Sequence, residues 1–381
     1  MSPPSAFSIV VHSHLRWDFV WQRPQQIFSR LAREHPVLFV EEPLHEPGEP
    51  RLRIVEAQPG VVRAIPVMPQ PSDCDAHCAA LLPLLKQAMQ THPLLAGRFD
   101  SLVQWFYSPM CAPGMAGMLN ELALVYDCMD ELASFRFAPA DIGRREGFLL
   151  ERADVVFTGG WQLYESKSRH HGNVHFFGCG VDAAHFGRAR HDQVPVAPAV
   201  ASLPGPVLGY FGVIDERLDY DLIDALAQAF ASGSIVMAGP LAKVERAALP
   251  DRPNIHWLGQ QPYEALPALV KGFDVCLMPF ALNEATRYIN PTKTLEYMAA
   301  AKPIVSTAVP DVVRNFGDIV RIAASPQEFI DATRRALAVP EPERIAAGHR
   351  RTAASTWDAI VAAMRGQVTE AVRARSTLAV A

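Results

Sequence analysis

The segment Asn290-Pro-Thr-Lys293-Thr-Leu-Glu296-Tyr-Met-Ala places a cation and an anion three residues apart where a buried apolar run, Val275–Phe280, gives way to a polar loop. Asn290 followed by Pro291 is a helix-start signal: Asn caps, and Pro has no N–H to leave unpaired. The first turn of such a helix exposes amide N–H groups at the positive end of the helix dipole, where a phosphate can sit. Lys293 in that turn can neutralise a diphosphate as a point charge. Glu296, one turn further on the same face, would repel phosphate but can accept two hydrogen bonds from ribose hydroxyls. The plain alternative is a surface helix carrying an ordinary Lys–Glu pair, and spacing alone does not separate the two.

The elements that must position these residues alternate almost from end to end. Strand-like runs at Phe7–Val11, Val37–Val40, Leu102–Tyr107, Ala123–Tyr126, Val155–Thr158 and Val174–Phe177 are interleaved with helical periodicity at Pro24–Glu34, Cys74–Met89, Asp141–Arg152 and Trp161–His170. Leu52–Val67 reads as a β excursion turning at Pro59-Gly60. A Pro- and Ala-rich stretch, Ala189–Gly205, interrupts the pattern, which restarts with strands at Val207–Phe211, Ile235–Ala238, Asn254–Leu258, Val275–Phe280 and Ile304–Thr307. Helices are expected at Tyr220–Phe230, Tyr263–Lys271, Pro291–Ala300 and Gln327–Ala338, the last opened by a Ser325…Glu328 capping box. Such alternation implies an α/β protein of two doubly wound, Rossmann-like parallel-sheet domains, 1–190 and 200–352, with a final helix over 353–375 that packs back on the first. In open α/β sheets ligands sit beyond the C-terminal strand ends, so chemistry is sought just after each strand.

Composition narrows the function. The chain has 381 residues, 49% hydrophobic and 20% charged, enough for two cores and wrong for a disordered protein. Its net charge of −5 argues against a nucleic-acid binder relying on bulk electrostatics. The N-terminal residues show no secretion-signal pattern and no apolar run reaches the roughly 18 residues of a membrane span, so a cytoplasmic protein is expected. Six scattered cysteines suit a reducing compartment, and the Cys74-Asp-Ala-His-Cys78 cluster lacks the second ligand pair that a zinc site needs.

Four segments in order resemble the GT-B glycosyltransferases, in particular the group 1, or family-4-like, enzymes of bacterial polysaccharide biosynthesis. They are Phe177-Gly-Cys-Gly-Val-Asp182, Val207-Leu-Gly-Tyr-Phe-Gly212-Val-Ile-Asp-Glu-Arg217, Asn254-Ile-His-Trp-Leu-Gly259 with Tyr263, and Asn290-Pro-Thr-Lys293-Thr-Leu-Glu296 running on to Thr307. The resemblance implies a GT-B fold with two domains facing a central cleft, and a glycosyltransferase using a nucleotide-diphosphate sugar, with UDP as the expected nucleotide. It also implies that Lys293 and Arg217 bind the diphosphate and Glu296 the ribose. Thr292 would add a hydroxyl, and Gly212, Gly259 and Asn290 would shape the loops that hold the nucleotide. Two cations and a helix N-terminus can replace a divalent metal, so neither a metal nor a cofactor is expected. One departure stands out: many relatives carry a second Glu eight residues before the ribose Glu, where this chain has Tyr288, with Glu284 nearby but out of register.

The N-terminal domain would then hold the acceptor, a saccharide or lipid-linked saccharide. In the loop after the first strand, Trp17 and Trp21 can stack on a sugar and Arg23 can meet a phosphate, or the aromatics can simply pack the domain. Asp130, in Val125-Tyr-Asp127-Cys-Met-Asp130, is the leading candidate general base, since a sugar hydroxyl attacking an anomeric carbon must lose its proton. That segment resembles the strand end where inverting bacterial glucuronosyltransferases carry a catalytic Asp. Asp127 and His14 are the alternatives. Phe135-Arg-Phe137 with Arg144, Arg145 and Arg152 can form a basic, aromatic patch for peripheral contact with the inner membrane, or an ordinary solvated face. Competing readings are an epimerase of the same fold and a non-catalytic sugar-nucleotide-binding subunit.

Overall fold

The computed structural model describes residues 7–378. The chain divides into two compact units, the first ending at Gly178 and joined by the C-terminal stretch from Asp358, the second comprising Cys179–Trp357. The Pro- and Ala-rich stretch after Ala189 therefore lies inside the second unit.

The first unit carries β1 (Ser8–His12), β2 (Val37–Val40), β3 (Leu44–His45), β4 (Arg51–Gln58), β5 (Val61–Met68), β6 (Leu102–Phe106), β7 (Ala123–Cys128), β8 (Val155–Thr158) and β9 (Val174–Phe176). Among the described residues they form one sheet in the order β3-β5-β2-β1-β6-β7-β8-β9, with β4 added antiparallel on β5. The central strands β1, β2, β6, β7 and β8 are buried at every residue, as continuous apolar runs in a sheet covered on both faces require. The excursion turns at Gly60, where φ is +83° and a Cβ would lie 2.5 Å from the Ala32 carbonyl oxygen, so only glycine fits. The helix Arg23–Leu31 buries Ile27, Phe28 and Leu31, with Phe28 edge-on to Trp105 at 5.3 Å. The long helix Trp357–Leu378 lays Val361, Met364, Val368 and Val372 into this core, each burial contributing about 1.5–3 kcal/mol. Asp358 fastens one end to Arg30 (3.3 Å) and Arg33 (3.1 Å), and Arg375 fastens the other to Asp154 (2.9 Å).

The second unit contains β10 (Val207–Phe211), β11 (Ser234–Ala238), β12 (Ile255–Gly259), β13 (Val275–Met278), β14 (Ile304–Thr307) and β15 (Arg321–Ala323). Their order, β12-β11-β10-β13-β14-β15, is all parallel and reverses direction between β10 and β13. Helix Tyr220–Ala229 starts where Asp219 accepts from the Leu222 N–H and buries Leu222, Ile223 and Leu226 on one face. Ser325 caps the helix Pro326–Ala338 through the Glu328 N–H, while the Glu328 carboxylate reaches back to the Ala324 N–H, one residue short of a true capping box. Helices at Pro310–Phe316 and Pro342–Ala354 and the strand β15 were not anticipated, the first helix and the strand being too short to show a period.

Candidate functional site

The reversal of strand order in the second unit fixes where a ligand would sit: beyond the C-terminal ends of β10 and β13. Three glycines shape the backbone there. Gly212 directly follows β10 with φ +149°, Gly239 directly follows β11 with φ +154°, and Gly259 ends β12 with φ +67°. Gly212 donates its N–H to the Ala238 carbonyl and Gly239 to the Gly259 carbonyl, both at 2.8 Å. A Cβ on Gly239 would fall 1.7 Å from the Gly212 carbonyl oxygen. A Cβ on Gly212 would lie 2.4 Å from Lys293 Cε and 2.6 Å from the Tyr210 hydroxyl oxygen. The first turn after β10 and the start of the 293–299 helix are therefore in contact, and Lys293 Nζ lies 5.4 Å from the Phe211 ring centre.

Glu296 is only 7% exposed, and its Oε2 has no hydrogen-bond partner. Burial pushes its carboxyl above the usual carboxylate range, and the positive charge of Lys293 pulls it partly back. A carboxylate oxygen held dry without a donor is costly, and hydroxyl donors from a ligand would relieve that cost. A carboxyl raised in the folded state contributes stability below its unfolded value and loses it as pH rises through the folded value. Glu296→Gln is therefore expected to stabilise the unliganded protein at pH 7 by on the order of 1 kcal/mol. Urea unfolding at pH 5 and pH 7 checks this, with the gain larger at the higher pH.

Arg217 is brought to the same region but is already paired. Its Nε lies 3.0 Å and 3.1 Å from the two Asp215 oxygens and its Nη2 2.7 Å from Oδ2. The Asn290 cap expectation is corrected: the helix begins at Lys293, its N-cap is Thr292, and no side chain caps it. Thr292 is already turned into the helical region (φ −55°), which moves the start two residues past Asn290. Asn290 instead accepts a contact from Cys179 Sγ on its carbonyl (3.2 Å), and Thr292 Oγ1 donates to that sulfur at 3.3 Å. Tyr288 ends the short helix Glu284–Arg287 with Arg287 against its ring, and Glu284 is exposed.

In the first unit, two acceptor-loop expectations are overturned by burial. Trp17 is 5% exposed and edge-on to Phe39 at 5.1 Å, so it packs the core and offers no stacking face. Arg23 is 3% exposed. Its Nη2 lies 2.9 Å from Asp127 Oδ1, its Nε reaches both Asp127 oxygens, and its Nη1 donates to the Phe177 carbonyl at 2.7 Å. Asp127 is fully buried in that pair, so the Arg23 charge is already taken up inside the unit. The basic patch also shrinks: Arg145 is buried between Asp75 (2.8 Å) and Asp141 (2.6 Å), while Phe137 stands 79% exposed.

Beyond the ends of β1, β2 and β6, where this sheet reverses its order, lies a cavity of about 270 Å³. His12, His14, Glu41, His45, His77 and Cys111 are among its lining residues. His14 thus lines it, whereas Asp130, half-buried on the loop after β7, does not. Glu41 anchors the preceding loop, accepting from Arg63 Nε (2.7 Å) and the Trp17 N–H (3.1 Å). Sequence reasoning missed this cavity because its walls come from loops far apart in the chain, although the strand-end rule pointed to the place. Among the described residues no three His, Cys, Asp or Glu side chains are grouped to hold a metal ion, and no helix is long and apolar enough to cross a membrane.

Residues 205–338 match the family model described as glycosyl transferases group 1. A protein of Bacillus subtilis (strain 168) named as a teichuronic acid biosynthesis glycosyltransferase, TuaH, is 26% identical over 214 residues, which take in 52% of this chain and 53% of that protein. The match thus spans about half the length of that curated relative. Among solved structures, sucrose-phosphate synthase from Thermosynechococcus elongatus superposes with a TM-score of 0.70 at 16% identity, covering 99% of this chain and all of that one. An alpha,alpha-trehalose 6-phosphate synthase from Burkholderia multivorans gives 0.69 at 13% identity, covering 98% of each chain. An E. coli structure described as trehalose-6-phosphate bound with UDP-2-fluoro glucose gives 0.66 at 12%, covering 96% of this chain and 99% of that one. The chain has the GT-B fold, and its residues 205–338 carry the group 1 glycosyl transferase domain.

Proposed function

We propose that this protein transfers a glycosyl group from a nucleotide-diphosphate sugar, with UDP as the nucleotide, to a hydroxyl of a saccharide or lipid-linked saccharide during polysaccharide biosynthesis. The observation that carries the reading is Glu296: a buried carboxylate oxygen without a donor, one helical turn from Lys293, at the strand-order reversal of the second unit. Ribose hydroxyls would supply the missing donors, and Lys293 and Arg217 would take the diphosphate charge. The E. coli neighbour described with UDP-2-fluoro glucose supports UDP as the nucleotide, and the Bacillus relative supports polysaccharide synthesis.

The reaction forms a bond from the acceptor oxygen to the anomeric carbon and breaks the bond from that carbon to the diphosphate. The acceptor proton must leave, and negative charge builds on the departing nucleotide. Cations held near the diphosphate stabilise that charge. The 270 Å³ cavity of the first unit is the proposed acceptor pocket. Since His14 lines it and Asp130 does not, the role of general base passes to His14. His14→Gln is expected to lower sugar transfer by roughly 10²-fold, the scale of a lost general base, with UDP affinity unchanged. Release of UDP from UDP-glucose, UDP-galactose and UDP-glucuronic acid, followed with and without methyl glycosides as acceptors, tests the activity. Binding of UDP with every donor left intact would return the reading of a non-catalytic binding subunit. An altered free sugar nucleotide would return the epimerase.

A further inference from the structure

A buried chain of hydrogen bonds runs from His12, in the lining of the first unit's cavity, into the interior of that unit. His12 Nε2 meets Gln104 Oε1 at 2.8 Å, and Gln104 Nε2 donates to the Met115 carbonyl (2.8 Å) and to Glu121 Oε2 (2.9 Å). Glu121 also accepts from the Gly117 N–H at 2.7 Å and has Arg375 Nη2 at 4.0 Å. His12 is 4% exposed, Gln104 0% and Glu121 6%, so the chain lies in the interior, where polar groups are retained at a cost.

Donor and acceptor types fix the direction of this chain. A backbone carbonyl and a carboxylate both only accept, so the Gln104 amide must turn its NH₂ toward Met115 and Glu121. Its carbonyl oxygen then faces His12, and a carbonyl only accepts. The His12 Nε2 must therefore carry the proton. In the neutral ring Nδ1 is then a bare acceptor, and Nε2 being taken, Nδ1 is the ring nitrogen left for a ligand of the cavity that His12 lines. The ring is stacked on Phe106 with centroids 4.5 Å apart, which fixes its plane. Burial holds the imidazole's pKa down to about 4, against smaller upward pulls from the Gln104 hydrogen bond and the Glu121 charge, so it stays neutral at cellular pH.

We infer that His12, locked in its Nε2–H form by the Glu121–Gln104 relay, uses Nδ1 to accept a hydrogen bond from a hydroxyl of the sugar acceptor and so fixes which hydroxyl faces the reaction. This rests on the reading of the cavity as the acceptor pocket. An anionic or purely apolar occupant would find no use for a neutral ring nitrogen that only accepts, whereas a saccharide hydroxyl donates to it. His12 binds and orients; proton removal falls to His14.

Two isosteric replacements separate the ring's two ends. His12→Gln supplies a donor where Nε2 sits and keeps the bond to Gln104 but removes the Nδ1 acceptor. His12→Asn keeps an acceptor near Nδ1 and loses the relay. With methyl glucoside, galactoside and glucuronide as acceptor probes, His12→Gln is expected to raise the acceptor KM roughly tenfold, the loss of one hydrogen bond at a site built for it. His12→Asn should raise it less, and UDP affinity should be unchanged in both. Nitrogen-15 NMR of the wild-type ring should show the Nε2–H tautomer, with the Nδ1 resonance moving as a glycoside is added. A protonated Nδ1, an Nδ1 resonance unmoved by all three glycosides, or an acceptor KM within twofold of wild type in His12→Gln would overturn the proposal. Should the variants fail to fold, the NMR titration of the wild type decides alone. Failure of the wild type to bind UDP would count against the donor reading and leaves the ring measurement unaffected.

Discussion

Replacing Arg23 with alanine is expected to destabilise the protein by about 3–5 kcal/mol, the cost of stripping one partner from a buried ion pair. Asp127 would be left fully buried, having lost a 2.9 Å bond from Nη2 and two longer ones from Nε. The Phe177 and Gly178 carbonyls, now served by Arg23 Nη1, would lose their donor as well. Chemical unfolding measures the loss directly. The double variant Arg23→Met with Asp127→Leu should recover most of it, because two apolar residues leave no charge stranded. A loss below 1 kcal/mol in Arg23→Ala, with acceptor affinity falling instead, would restore the reading of Arg23 as a phosphate ligand.

Gly239→Ala carries the second large expectation, in the other unit. Its φ of +154° is one that L side chains rarely adopt, and the new Cβ would start 1.7 Å from the Gly212 carbonyl oxygen. Backbone, with no flexible side-chain tip, occupies that space, so Gly212 must move. Its own left-handed conformation and its contact with Lys293 Cε would move with it. Strain of this kind costs roughly 1–3 kcal/mol for the conformation and a comparable amount for the overlap. The variant should therefore unfold several degrees earlier or more and lose UDP binding at least tenfold. Gly259→Ala makes the comparison, since a Cβ there meets nothing within 4 Å and pays only for φ. Equal losses in the two variants would mean that the Gly212–Gly239 approach has no special part in the site.

Much of the architecture was legible because parallel strands buried on both faces leave unbroken apolar runs. β2, β8, β10 and β14 fall where those runs predict. The shared helix of Lys293 and Glu296 was legible as well, because a polar pair one turn into a helix after a buried strand is a local pattern. Arg23 and Trp17 misled for a physical reason. A loop rich in Trp and Arg has the same composition whether it meets a ligand or fills a core, and only the partner decides. Asp127, Arg23's partner, lies 104 residues away. The helix start was displaced because Thr292 is already in the helical region without a side-chain cap, which residue types do not announce. Gly239 and the His12–Gln104–Glu121 relay were invisible for the same reason as the cavity: each depends on atoms from separate strands meeting in space.

The strand-order reversal of the second unit, with Lys293 and Glu296, is expected to bind a nucleotide diphosphate. Titration calorimetry of UDP into the wild type, Lys293→Ala and Glu296→Ala tests it most directly. The wild type is expected to bind, and each variant to lose about 1.5–3 kcal/mol, the scale of a charge-assisted hydrogen bond, with the folded state retained. Wild-type binding left unchanged by both substitutions, or no binding of UDP at all, would contradict it.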